Sequence, residues 1–344
     1  MDAFFDFDSE EEPGSDSDFA TDLSLAGEES SRSRRRILGM LASGAGGLLL
    51  GACGTTPPPQ VRPRPVASPT SSGGQTGTTP VGYPPQDSRF LSRGFQPSSA
   101  PPHVSASAAI VVQANTGNVL YAKNADTRRA AASTQKLLLG ILIAERGNLG
   151  GNLTVQKSDT YCEPTKMGIQ AGQVYQRGYL LKTVLVRSSN DIARCLARDH
   201  SGSDSAFASA MNRKAGQLGM NNSFFTNSNG LPSPPGQYST ARDLAILGAA
   251  AMRHREIREA VATRSMTFQF ANGRTVPVNN TNKVLRSFPY CTGMKTGYTN
   301  AAGRCLVSSA SYQGRNVIAV ILGSTTPNVW TESEALLKWG VGLA

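Results

Sequence analysis

Ser133-Thr134-Gln135-Lys136 places a candidate nucleophile and a candidate base three residues apart. Residues at that spacing share one face of a helix, so the Lys136 amine can reach the Ser133 hydroxyl. A helix start favours negative charge, and burial against Leu137, Leu138 and Ile141 lowers the lysine pKa, because desolvation penalises the charged form. A neutral amine beside a hydroxyl is an activated nucleophile suited to acyl transfer. Taken alone, the tetrapeptide also fits an N-cap serine followed by a solvated lysine, and Ser-x-x-Lys is expected about once by chance in a chain this long. Two further groups change that weighting. Ser188-Ser189-Asn190 precedes a helix, and Lys295-Thr296-Gly297 ends a strand, where Gly297 lets another backbone come close. None of the three patterns occurs a second time.

The surrounding sequence predicts the elements that must hold these residues. Val104 to Gln113 and Asn118 to Ala122 are apolar, β-prone runs joined across Ala114-Asn115-Thr116-Gly117, which reads as a hairpin. Thr134 to Ala144 is a Leu- and Ile-rich helix that stops near Gly147. Helical stretches follow at Leu180 to Leu185, Asp191 to Arg198, Ala206 to Leu218 and Ala241 to Met252. Strand patterns return at Met266 to Phe270 and, across an Asn272-Gly273 turn, at Thr275 to Val278. Tyr290 to Gly297, Arg304 to Ala310 and Asn316 to Leu322 complete the strands, and Thr331 to Trp339 is a closing helix. Strands at both ends with helices between them predict an α+β fold, one antiparallel sheet of about five strands with an inserted, mainly helical subdomain.

Of the 344 residues, 39% are hydrophobic and 17% charged, which excludes a wholly disordered chain. The three histidines, His103, His200 and His254, are far apart and no Cys-x-x-Cys occurs, so neither a metal nor another cofactor is implied. The first 30 residues carry 11 Asp or Glu and no basic residue. Ser33 to Arg36 are a basic cluster, and the fourteen residues Ile37 to Leu50 form an apolar core too short to span a bilayer. That order reads as an export signal within residues 1–52. Residues 54 to 102 contain 12 of the 20 prolines, with Ser, Thr and Gly between them, which reads as a disordered tether. The 242 residues from His103 to Ala344 suffice for one large folded domain.

The three motifs together resemble those of penicillin-binding proteins and serine β-lactamases. The likeness extends to Asn115-Thr116-Gly117-Asn118-Val119-Leu120-Tyr121, Arg187-Ser188-Ser189-Asn190-Asp191, Tyr238-Ser239-Thr240-Ala241-Arg242-Asp243 and the run from Gly293 to Gly303. It covers essentially residues 105 to 340 and resembles the low-molecular-mass penicillin-binding proteins, the D-alanyl-D-alanine carboxypeptidase family. Ser189 stands where Gly is common in that family, and Tyr298 where His is common. The chain closes just after its final helix, which implies the form without an extra C-terminal β domain. Leu50-Gly51-Ala52-Cys53 likewise resembles the lipobox of bacterial lipoproteins, and Ser33 to Leu38 resembles a twin-arginine signal with Ile in place of Phe. Cys53 is then the lipidated N-terminus of an exported, membrane-anchored protein.

The resemblance implies that Ser133 attacks the carbonyl between two D-alanines while Lys136 takes its proton and Ser188 helps protonate the leaving amine. Asn190 would orient the substrate amide, Lys295 would supply positive charge near Ser188 and the terminal carboxylate, and Thr296 with Arg242 would hold that carboxylate. The backbone N–H groups of Ser133 and Tyr298, the latter following Gly297, would form the oxyanion hole. The implied partners are peptidoglycan stem peptides, β-lactam antibiotics as inhibitors and a membrane reached through lipid, with no nucleic acid. A β-lactamase is the nearest alternative, but Phe225 to Leu231 lacks the carboxylate that speeds deacylation there. A D,D-endopeptidase and a non-catalytic wall-binding lipoprotein are the others; the last predicts loss of Ser133, Lys136, Ser188 or Lys295, and all four are present.

Cys162, Cys195, Cys291 and Cys305 allow three disulfide pairings in an oxidising compartment or four free thiols. A hairpin centred near Asn300 sets Cys305 opposite about residue 295, against pairing with Cys291. After Cys53 the chain carries 30 basic and 13 acidic residues, near +17, which suits either a solvated basic surface or association with anionic envelope polymers.

Overall fold

The computed structural model describes residues 95–344. Its centre is an antiparallel five-stranded sheet in the order β2-β1-β9-β8-β7, formed by β1 (Ala108–Gln113), β2 (Val119–Lys123), β7 (Cys291–Thr299), β8 (Gly303–Tyr312) and β9 (Arg315–Ser324). Period-two alternation fills two separate cores from one strand. Ala108, Ile110 and Val112 of β1 enter the core shared with the helices, whereas Ala109 and Val111 pack with the closing helix α8 (Asn328–Val341). Because both faces are covered, β1 and β9 are almost continuously apolar, unlike a half-solvated strand.

The helical part lies in sequence between β2 and β7. It comprises α1 (Lys136–Arg146), α2 (Arg177–Arg187), α3 (Asn190–Ser201), α4 (Asp204–Leu218), α5 (Ala241–Ala251) and α6 (Arg255–Val261), with a short α7 (Val284–Ser287) just before β7. Two small hairpins accompany them, β3 (Asn152–Thr154) with β4 (Val174–Gln176), and β5 (Ser265–Gln269) with β6 (Thr275–Asn279). Every residue from Lys136 to Ile143 in α1 is buried, so this helix is enclosed on all sides and not merely amphipathic. Each buried leucine or isoleucine there contributes about 1.5–3 kcal/mol, which fixes the turn that precedes it. Gly147, at φ 72°, ends α1 in a conformation that costs glycine little.

The expected α+β architecture with an inserted helical subdomain is present. Its elements differ mainly at their ends: the first strand begins at Ala108 and not Val104, and the strand expected to end at Gly297 runs on to Thr299. The β3–β4 hairpin has no counterpart in the sequence expectation, because three-residue strands separated by nineteen residues show no alternation to read.

Residues that precede the boundary expected at His103 also contact the domain. The Arg315 guanidinium lies 3.8 Å over the Phe95 ring, Gln113 donates to the Phe95 carbonyl, and the Trp339 indole donates to Ser99 O at 2.9 Å. Residues 95–102 are therefore strapped to the domain, and the rest of the expected tether, the signal and Cys53 lie outside the described residues. Among the described residues no helix is long and apolar enough to cross a membrane.

Candidate active site

Ser133 does not begin the α-helix itself. It sits in a 3-10 turn, Ala132–Gln135, that runs directly into α1. Ala132 has φ 48°, a left-handed conformation uncommon for a residue with a side chain. Two glycines close on this turn. A Cβ on Gly230, whose φ is 90°, would lie 2.3 Å from Ala132 O, and one on Gly297 would lie 2.9 Å from the Ser133 nitrogen. Only glycine lets the loop from one side and β7 from the other come this near the nucleophile.

Lys136 lies beneath, fully buried. Its Nζ is 2.6 Å from Ser133 Oγ, 2.8 Å from Asn190 Oδ1 and 2.6 Å from Asn229 O. Burial holds its pKa well below the ordinary lysine value, and the nearby Lys295 lowers it further. Three partners around an amine are compatible with an ammonium donating three hydrogen bonds. They also fit a neutral amine: its two N–H groups go to Asn190 and Asn229, and its lone pair accepts the Ser133 hydroxyl proton once that hydroxyl turns from the Asn229 carbonyl 3.1 Å away. The lowered pKa shifts the balance toward the second arrangement, which is the one a general base requires.

Lys295 is also fully buried, and burial alone brings its pKa down to about 7. It donates to Thr296 O at 3.0 Å, while Thr296 Oγ1 donates to Thr281 Oγ1 at 2.7 Å. β7 is the outer strand of the sheet, so its Lys-Thr-Gly segment lies on an edge beside the nucleophile.

Ser188 caps α2 in the left-handed conformation, φ 70°, and its half-buried hydroxyl has no hydrogen-bond partner among the described residues. That backbone turn carries the chain into α3 and presents Asn190. The Asn190 amide uses both ends within the protein, accepting from Lys136 and donating to Glu163 O and Pro164 O. In this arrangement Asn190 orients Lys136, whereas the sequence reading gave it the substrate amide. Next to it, Asp191 accepts from the backbone N–H groups of Met167, Gly168 and Ile169, which pins the loop facing the site.

The structure thus gathers Ser133, Lys136, Asn190, Lys295 and Gly297. Arg242 has partners of its own: its guanidinium pairs with Asp126 at 2.6 and 3.0 Å, and its backbone N–H bonds Ala125 O, tying the start of α5 to the segment after β2. Tyr298 is 52% exposed, with the Arg304 guanidinium 4.5 Å over its ring and its hydroxyl on Asn300.

Sequence reasoning noted Phe225 to Leu231 only for its lack of a carboxylate and missed what Asn227–Gly230 holds in place. The Asn229 carbonyl accepts from both Lys136 and Ser133, and Asn227 fixes the segment by accepting from the Asn229 and Gly230 N–H groups and donating to Leu231 O and Ser233 O. Gln135 ties the nucleophile turn to it through Asn227 O at 2.7 Å. An Asn- and Gly-rich run was the available signal, but a backbone carbonyl leaves no residue-type signature. Among the described residues the four cysteines, Cys162, Cys195, Cys291 and Cys305, are free thiols. Gly297, two residues beyond the expected 295, faces Cys305, while Cys291 faces Ala310.

A serine whose hydroxyl meets a buried lysine, with a second lysine on the edge strand of an α+β fold, defines an active-site-serine enzyme of the penicillin-binding class. Residues 96–326 match the family model described as D-alanyl-D-alanine carboxypeptidase, peptidase S11. The chain is 33% identical over 227 residues to the D-alanyl-D-alanine carboxypeptidase DacF of Bacillus subtilis, covering 64% of this chain and 58% of that one. It is 34% identical over 239 residues to DacB2 of Mycobacterium tuberculosis, covering 68% and 81%. The solved structure of the Streptomyces K15 DD-transpeptidase superposes with a TM-score of 0.66 at 28% identity, covering 70% of this chain and 99% of that one. The chain belongs to the D-alanyl-D-alanine carboxypeptidase family. It spans little more than half the length of the Bacillus relative and about four fifths of the mycobacterial one.

Proposed function

We propose that the protein is a serine D-alanyl-D-alanine carboxypeptidase that removes the terminal D-Ala from peptidoglycan stem peptides. The observation that carries this reading is the 2.6 Å contact between Ser133 Oγ and the buried, pKa-lowered Lys136 amine. Lys136 accepts the hydroxyl proton as Ser133 Oγ bonds to the carbonyl carbon between the two D-alanines. The backbone N–H groups of Ser133 and Tyr298 stabilise the oxyanion, single donors of this kind being worth about 3 kcal/mol. The C–N bond then breaks, the departing amine takes its proton through Ser188, and an ester to Ser133 remains. Water returns the serine, with Lys136 again as base. Charged Lys295, with the Thr296 hydroxyl, holds the terminal carboxylate; Arg242, also expected there, is paired with Asp126.

The test combines a labelled penicillin with purified muropeptides. Penicillin attaches covalently to the wild type and not to Ser133→Ala, and the wild type shortens stem peptides by the mass of one alanine. Labelling that survives the substitution overturns the Ser133 assignment, and scission of cross-linked dimers without that loss makes the enzyme a D,D-endopeptidase.

The basic cluster, the apolar core and Leu50-Gly51-Ala52-Cys53 support export and acylation at Cys53. The Pro-, Ser- and Gly-rich composition of residues 54 to 102 supports a tether between that lipid and the catalytic domain.

A further inference from the structure

Away from Ser133, the β3–β4 hairpin, the first turn of α2 and the β5–β6 hairpin enclose an open groove of about 640 Å³. Tyr179 lies nine residues before Ser188 along α2, about 14 Å of helix. Thr275 lies six residues before Thr281 of the site, about 20 Å of extended chain. The groove is therefore a place apart from the reacting centre and has no role in the chemistry described above.

In a chain with 34 Lys and Arg against 24 Asp and Glu, none of the residues lining this groove is charged. Its rim carries the exposed amides of Asn152, Gln176 and Gln269 and the exposed hydroxyls of Thr267 and Thr275, and its wall includes Tyr179, stacked on buried Phe268 at 5.2 Å. Added strands are excluded on the β5 side, because tyrosine hydroxyls already take the backbone groups facing the groove. Gln269 N–H donates to Tyr179 Oη at 2.6 Å, Tyr179 O–H reaches Thr267 O at 3.4 Å, and Ala271 N–H donates to Tyr175 Oη at 3.3 Å. What stays available is side-chain amide and hydroxyl groups beside the aromatic carbon of Tyr179, with one charged group at the margin, the Arg274 guanidinium stacked 3.9 Å over the Phe270 ring. That combination suits a neutral, hydroxyl- and acetamido-bearing saccharide, whose ring faces are apolar and whose edges both donate and accept hydrogen bonds.

We propose that this groove is a subsite for an N-acetylated glycan strand, which holds the enzyme on the sugar backbone of the wall while the stem peptide is processed at Ser133. The choice of a wall glycan rests on the function proposed above; the saccharide chemistry rests on the groove.

The full-length protein is titrated with a short β-1,4-linked N-acetylglucosamine oligomer, followed by calorimetry and saturation-transfer NMR. The wild type binds, and so does Ser133→Ala. Gln269→Ala combined with Thr275→Ala weakens binding about ten-fold or more, as loss of two hydrogen bonds predicts. Asn152→Ala on the opposite wall acts in the same direction. Both variants are acylated by penicillin at the wild-type rate, which also shows that they fold. Absence of binding by the wild type, or unchanged affinity in both variants, overturns the proposal. Displacement of the oligomer by a sugar-free stem peptide shows a peptide site and overturns it too. Failure of penicillin acylation in the wild type counts against the catalytic reading alone, since the oligomer titration does not depend on it.

Discussion

Gly297 of β7 abuts Ser133 so closely that a single added methyl carbon would lie 2.9 Å from the Ser133 nitrogen and 3.0 Å from Ala131 O. The strand that carries Lys295 and the turn that carries the nucleophile are therefore in backbone contact. Gly297→Ala must push them apart. Displacement of about 1 Å at a reacting centre costs about 10²-fold in rate, while overpacking costs about 1–3 kcal/mol of stability. The expected result is a folded protein whose penicillin acylation is slowed by about two orders of magnitude. Stopped-flow acylation together with thermal unfolding measures both, and wild-type acylation would show that β7 yields freely.

Lys136 and Lys295 are both buried lysines, yet their partners differ. Lys136 touches Ser133 and, in the mechanism proposed above, accepts its proton, which a guanidinium cannot do at accessible pH. Lys136→Arg is expected to lower acylation by about 10²–10⁴-fold, the usual worth of a positioned base. Lys295→Arg keeps the positive charge and is expected to retain measurable activity. Equal loss in two folded variants, followed with labelled penicillin, would refute this division of roles.

Removing the second lysine has a stability consequence with a definite sign. The Lys295 pKa is about 7 in the folded protein against 10.5 ordinarily. Between those values the unfolded chain holds a proton that the folded chain has released, so wild-type stability rises with pH across that window. Below about pH 7 the folded protein must bury the charge. Lys295→Met is therefore expected to be inactive and more stable by about 1–4 kcal/mol at neutral pH, with the difference shrinking toward pH 10. Urea unfolding at a series of pH values reads this directly, and a variant less stable than wild type at pH 6 would contradict it.

Anchoring is tested at Cys53. Two or three acyl chains, at about 0.8 kcal/mol per buried CH₂, hold a protein stably, where a single chain is marginal. Cys53→Ser is expected to block lipid attachment and processing there while leaving penicillin binding by residues 95–344 unchanged. Mass spectrometry of the membrane-extracted protein decides it: an unmodified N-terminus upstream of Cys53 is the adverse result.

Much of this protein is legible in its sequence because the informative relationships are local. Ser133 and Lys136 meet because they are three apart in a helical stretch, and α1 is recognisable because its apolar residues are contiguous. The Asn272-Gly273 turn and the apolar runs of β8 and β9 likewise declare themselves through residue type. Tertiary structure alone decided what lies far apart along the chain. It brought the carbonyl of Asn229 to the Lys136 amine across 93 residues, turned Asn190 toward that amine, and paired Arg242 with Asp126. It also buried Lys295 to the point where its pKa falls to about 7. Periodicity and residue type record what a segment can form by itself. A backbone acceptor, a desolvated charge or a choice between two possible partners exists only once distant segments have packed, because burial and distance set its energy and neither is a property of the segment alone.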